Sequence, residues 1–123
     1  MDAEVDVEIL SESRAAVVSL KAASISDVDA IAAMSAQIRQ FVEENRPENV
    51  IFDFSQVKFF SSQVLGLLLE TRGNLAERDG HVAISALDPQ LHRVFKITNL
   101  DRIFEFFPDK ETALKATGSR DGG

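Results

Sequence analysis

Two adjacent serines, Ser61 and Ser62, follow an apolar run that ends in Phe52-Asp53-Phe54 and precede the leucine-rich stretch Val64 to Leu69. A hydroxyl between a strand and a helix has three possible uses. It can cap the helix, since serine is among the preferred residues at that position. It can act as a nucleophile if a base lies beside it, and Ser62, His92 and Asp53 supply the residue types of a triad. No Gly-x-Ser-x-Gly elbow surrounds either serine, however, so hydrolysis is disfavoured and no catalytic residue is assigned. It can also remain a free hydroxyl held at the positive end of the helix dipole. Asp53, at the end of its strand, is expected to accept hydrogen bonds from loop amides.

The elements that position these groups follow from periodicity. Val5 to Leu10 and Ala15 to Leu20 alternate with a period of two and are separated by the polar Ser11-Glu12-Ser13-Arg14, which predicts a hairpin. Ser26-Asp27-Val28-Asp29 opens a helix whose apolar residues recur at Ile31, Met34, Ile38, Phe41 and Val42 and which should end near Pro47. Residues 50 to 54 form a strand buried on both faces. A second helix is expected from about Ser62 to Arg78, closed by Asp79-Gly80, and a strand from His81 to Ala86 follows. Asp88-Pro89 starts a third helix, with Asn99 suited to the left-handed conformation at its end. A short edge strand at Ile103 to Phe107, a small helix from Asp109 to Ala116 and a flexible tail at 118–123 complete the chain. The prediction is a single α/β domain over residues 1–117, with a mixed sheet of four to five strands and about four helices.

Composition narrows the function. The 123 residues, 45% of them hydrophobic, suffice for one core. With no cysteine and two histidines, thiolate and disulfide chemistry are excluded, and little remains for a metal site. Neither a metal nor a cofactor is expected. The formal net charge of −7 opposes nonspecific contact with nucleic acid or anionic membrane and favours a protein partner. No stretch approaches the roughly 20 apolar residues of a membrane span. Met1-Asp2-Ala3-Glu4 lacks the character of a secretory signal, so a cytoplasmic location is expected. The adjacent aromatics Phe59 and Phe60 fall in a loop and cannot both point the same way, so one can be exposed, and the roles of core anchor and partner anchor are both open.

The order of elements and two local strings resemble the STAS domain, found in bacterial anti-sigma factor antagonists and at the cytoplasmic ends of sulfate transporters. The family's loop runs from a strand Asp or Asn through a short connection to Asp-Ser-Ser-Gly-Leu-Gly, and Asp53 through Gly66 matches that spacing without a gap. Leu87-Asp88-Pro89-Gln90-Leu91-His92-Arg93-Val94-Phe95-Lys96-Ile97-Thr98-Asn99-Leu100 is similar to the family's Ser-Pro-x-Val-x-x-x-Leu-x-x-x-Gly-Leu helix, with Asn99 in place of Gly. The family's Gly-x-Leu-Asp after the second strand corresponds to Ser24-Ile25-Ser26-Asp27, which keeps only the Asp.

The resemblance implies a regulatory binding module, not an enzyme. Ser62 falls on the family's phosphorylated serine, with Asp27, Phe59, Phe60, Ser61 and Gln63 as switch-loop or partner contacts. The implied partner is an anti-sigma factor that is also a serine kinase of the ATPase-like type, with a phosphatase to reverse the modification. Two departures touch the site: the acid before the phosphorylated serine is Ser61, and the small pair after it is Gln63-Val64. Ser61 can replace a carboxylate as a cap but not as a charge. Alternatives are an unphosphorylated STAS scaffold and a STAS receptor for a nucleotide or lipid at the strand ends.

Overall fold

Val50, Ile51 and Phe52 are wholly buried because the strand that carries them runs through the middle of a five-stranded sheet covered on both faces. The structure is a computed structural model that describes residues 6–12 and 15–122. Val5, Ser13, Arg14 and Gly123, assigned above to strand, turn and tail, lie outside the described residues.

The elements in chain order are β1 (Asp6–Glu12), β2 (Ala15–Lys21), β3 (Ser24–Ile25), α1 (Val28–Asn45), β4 (Asn49–Asp53), β5 (Phe59–Phe60), α2 (Ser62–Ala76), β6 (His81–Ser85), α3 (Pro89–Ile97), a 3₁₀ turn (Leu100–Arg102), β7 (Glu105–Phe107) and α4 (Lys110–Gly122). The main sheet has the order β1-β2-β4-β6-β7. β1 pairs antiparallel to β2, and every other neighbour is parallel. This is the mixed α/β architecture expected, with β7 on the edge.

Alternation along β4 divides the core. Val50 and Phe52 join the larger cluster with α1, α2 and α3, through Ile31, Met34, Ile38 and Val42, then Val64, Leu65 and Leu68, then Leu91 and Phe95. Ile51 faces the smaller cluster with Ala15, Val17, Ala83 and Ala113 of α4. Since the helices α1 to α3 each follow a parallel strand, all three begin at the carboxyl end of the sheet.

Several features differ from the sequence reading, and the edge strand, expected from Ile103, begins at Glu105 because Ile103 closes the 3₁₀ turn. Phe59–Phe60, read as loop, pairs in parallel with Ser24–Ile25 as a separate two-stranded ladder. A two-residue strand has no periodicity to detect. The segment expected as a flexible tail is helical to Gly122, since α4 continues through Gly118. Each added residue closes a further backbone hydrogen bond, which offsets the glycine cost of about 1 kcal/mol. The second helix, expected to reach about Arg78, ends at Ala76, and Asp79 of the Asp79-Gly80 stop takes the left-handed conformation (φ 60°). Gly80 is needed for space instead: a Cβ there would lie 2.8 Å from the Glu48 carbonyl oxygen. Asn99 does take the left-handed conformation foreseen for it, with φ 63°.

Candidate functional site

The loop from Asp53 to Ser62 is fixed along its length by backbone hydrogen bonds to neighbouring segments. The Asp53 carboxylate accepts from the Ser55 amide at 3.0 Å, the structural role expected of it. The Phe54 amide donates to Ser85 O at 3.0 Å, and the Val57 amide closes a turn onto Phe54 O at 2.9 Å. Lys58 and Phe59 both donate to Ala23 O, at 2.7 and 3.0 Å, and Ser61 donates to Ile25 O at 2.9 Å. These bonds hold the start of α2 beside the start of α1.

Apolar side chains complete the clamp. Phe60 is buried and meets Phe54 and Phe95 edge to face, with ring centroids 5.8 and 6.0 Å apart. Its neighbour Phe59 is 53% exposed. The pair therefore divides as a strand requires, one residue inward and the next outward. Val28, the first residue of α1, is 60% exposed. The sequence pattern gave no sign of this, because Val28 lies three positions before the buried Ile31 and shares its helical row.

Ser62 is exposed as the first residue of α2, and Gln63 is exposed after it. The helix carries no acidic residue in its first turn, and Ser61, its N-cap, makes no side-chain cap hydrogen bond. The expectation that a serine hydroxyl caps this helix is thus corrected. The Val64 amide goes to the backbone oxygen of Ser61 at 3.0 Å, and Ser61 Oγ is buried without a hydrogen-bond partner. A buried hydroxyl left unpaired costs about 1–3 kcal/mol.

Asp27 has a different local role. It caps α1, with Oδ2 accepting from the Ala30 amide at 2.8 Å. The β3–β5 register, Ile25 opposite Phe60, carries Asp27 and Ser62 to equivalent positions two residues further along each chain. The structure thus brings Asp27, Phe59, Ser61, Ser62 and Gln63 to one end of the sheet and turns Phe60 into the core.

The other candidate chemistry is committed elsewhere. His92 stacks on Phe106, with ring centroids 4.6 Å apart, and forms no arrangement with Asp53, which bonds Ser55. His92 lines two hollows of about 280 and 260 Å³, the first lined also by Arg93 and Lys96 and the second by Leu87 and Phe107. Another of about 390 Å³ lies near the start of β6, at the sheet end opposite Ser62, between Arg72, Asp79, His81 and Ile103. Lys58 bridges the loop to the N-cap of α3, its Nζ 3.6 Å from Asp88 Oδ2. Among the described residues, no group of three or more His, Cys, Asp or Glu could hold a metal ion, and no helix is long and apolar enough to cross a membrane.

Comparison with known proteins agrees with this architecture. The family model for the STAS domain matches residues 8–113. An anti-sigma factor antagonist from Mycobacterium paratuberculosis is 26% identical, with a TM-score of 0.80 over 94% of this chain and 96% of that one. A STAS domain protein from Planctomyces limnophilus, described as an anti-sigma-factor antagonist, is 21% identical, with a TM-score of 0.80 over 89% of this chain and 95% of that one. The phosphorylated form of SpoIIAA, a Bacillus cell fate determinant, is 19% identical, with a TM-score of 0.72 over 91% of this chain and 99% of that one. The chain belongs to the STAS domain family, and its fold is that of the anti-sigma factor antagonists.

Proposed function

We propose that this protein is a non-catalytic regulatory module that binds a kinase-type anti-sigma factor through the surface around Ser62, and that phosphorylation of Ser62 releases the partner. The observation that carries the reading is the exposed Ser62 at the start of a helix whose N-terminus has neither a side-chain cap nor an acidic residue in its first turn. Such a start leaves backbone donors and the positive end of the dipole for a phosphate. The exposed Phe59 and Val28 beside it supply an apolar contact for a protein partner.

The switch is local. The loop is held to β3 and packed through Phe60, so a dianion on Ser62 changes the surface without unfolding the domain beneath it. A partner packed against an uncharged serine must then admit a charge of roughly −1.5 to −2. A loss of about 2.7 kcal/mol weakens binding a hundredfold. In this reading the triphosphate and its magnesium belong to the kinase, and a phosphatase resets the serine.

Intact-mass analysis of the protein from its native host, with fragmentation to locate the phosphate and Ser62→Ala as control, tests the proposal. A phosphate on Ser62 that is lost in the variant supports it. An unmodified Ser62 under growth and stress overturns the switch and leaves a STAS scaffold that docks through the same surface.

A further inference from the structure

We propose that the Ser61 hydroxyl is a reserved phosphate donor: buried and unpaired in the unmodified protein, it rotates about its single side-chain bond and donates to the phosphate once Ser62 is modified. This rests on the reading of Ser62 as the phosphorylated residue. The backbone of Ser61 is engaged on both sides, its amide with Ile25 O at 2.9 Å and its carbonyl with the Val64 amide at 3.0 Å. Only the hydroxyl is uncommitted, and its oxygen is buried with no partner.

An N-cap serine with extended backbone, here φ −84° and ψ 166°, ordinarily accepts from the amide two or three residues on. Ser61 does not, whereas Asp27, Asp88 and Asp109 each accept such an amide hydrogen bond near the starts of α1, α3 and α4. The unpaired hydroxyl thus lies one residue from the exposed Ser62 Oγ.

Phosphorylation supplies the missing partner. Transfer from a nucleoside triphosphate forms the Ser62 Oγ–P bond, breaks the bond from the terminal phosphorus to the bridging oxygen, and releases the nucleoside diphosphate and the serine proton. The new group brings strong acceptor oxygens next to an unused donor. A carboxylate at position 61 could not serve in this way, because ionised it only accepts, and its charge would oppose the dianion. The hydroxyl is therefore a positioning residue for the phosphorylated state.

The test uses the full chain with phosphoserine installed at position 62 during synthesis, in three backgrounds: Ser61, Ser61→Ala and Ser61→Thr. The second ionisation of the phosphate is followed by ³¹P NMR. A donor favours the dianion, so Ser61→Ala should raise the ionisation midpoint by about 0.3 pH units or more, a twofold change in proton affinity, and Ser61→Thr should restore it. In the unmodified protein Ser61→Ala should leave the melting temperature unchanged or raise it, while in the phosphorylated protein it should lower it. Equal midpoints in all three backgrounds overturn the proposal, as does an equal loss of melting temperature with and without phosphate. Because the phosphoserine is installed without a kinase, a host in which Ser62 carries no phosphate overturns the functional reading separately.

Discussion

Helices α1 and α2 begin next to each other, yet their first turns are built differently. At α1, Asp27 binds the Ala30 amide and Asp29 adds a second negative charge in the first turn. At α2, Ser61 turns its hydroxyl into a buried site without a partner, and the first turn has no acid. The ladder between β3 and β5 holds the two starts in register, so they share one scaffold and differ in chemistry. One start is capped and negatively charged, and the other is neither. Substitutions on either side of the ladder test that contrast, and the largest effect should come from the ladder itself.

Phe60 is that test. It is buried against Phe54 and Phe95, so Phe60→Ala should cost about 3–5 kcal/mol, read as a lower urea midpoint. Phe59→Ala, one residue away and exposed, should stay within about 0.5 kcal/mol of the parent. A partner measured by calorimetry should nonetheless lose affinity for Phe59→Ala. Equal stability losses at the two positions would show that the ladder does not separate scaffold from surface.

The caps give the next effect. Asp27→Ala should cost about 1 kcal/mol, because α1 loses its only side-chain cap bond among the described residues, whereas Ser61→Ala should cost nothing. Ser61→Asp should stabilise α2 by a few tenths to about 1 kcal/mol, by adding the acceptor and charge that its start lacks. Chemical denaturation of the three variants side by side measures the contrast. A cost for Ser61→Ala as large as that for Asp27→Ala would mean that the Ser61 hydroxyl is bonded in solution.

These comparisons also show which parts of the molecule could be read from the chain. The helical stripes of α1 and α2, the apolar run of β4 and the Asp88-Pro89 start of α3 are periodic or carry capping chemistry, so their positions followed from residue type. The location of Ser62 at a helix start was legible for the same reason. The division between Phe59 and Phe60 was visible only as an alternative, since the ladder that decides it is formed with residues more than thirty positions away. The orientation of the Ser61 hydroxyl was not legible at all. Sequence says that serine is a good cap, and only the close approach of Ile25 and Val64 to its backbone shows that the side chain is not used as one.

The smallest effect lies at another capped start, where α4 begins. Asp109 is fully exposed, and its Oδ1 accepts from the Thr112 amide at 2.7 Å. The hydrogen bonds from the Thr112 backbone, and then from its side chain, favour the charged form and hold the carboxyl below its ordinary value of 3.8. Because the folded state binds the proton more weakly than the unfolded state, the contribution to stability is fully present above 3.8 and fades as pH falls through the folded value. Asp109→Ala should therefore lower the urea midpoint slightly at pH 7, with the difference from the parent shrinking toward pH 3. Ser61→Ala, with no such bond to lose, should show no pH-dependent difference over the same range. A gap at Asp109 that stays constant with pH would assign its role to packing, and a gap that opens for Ser61→Ala would show that the start of α2 also depends on charge.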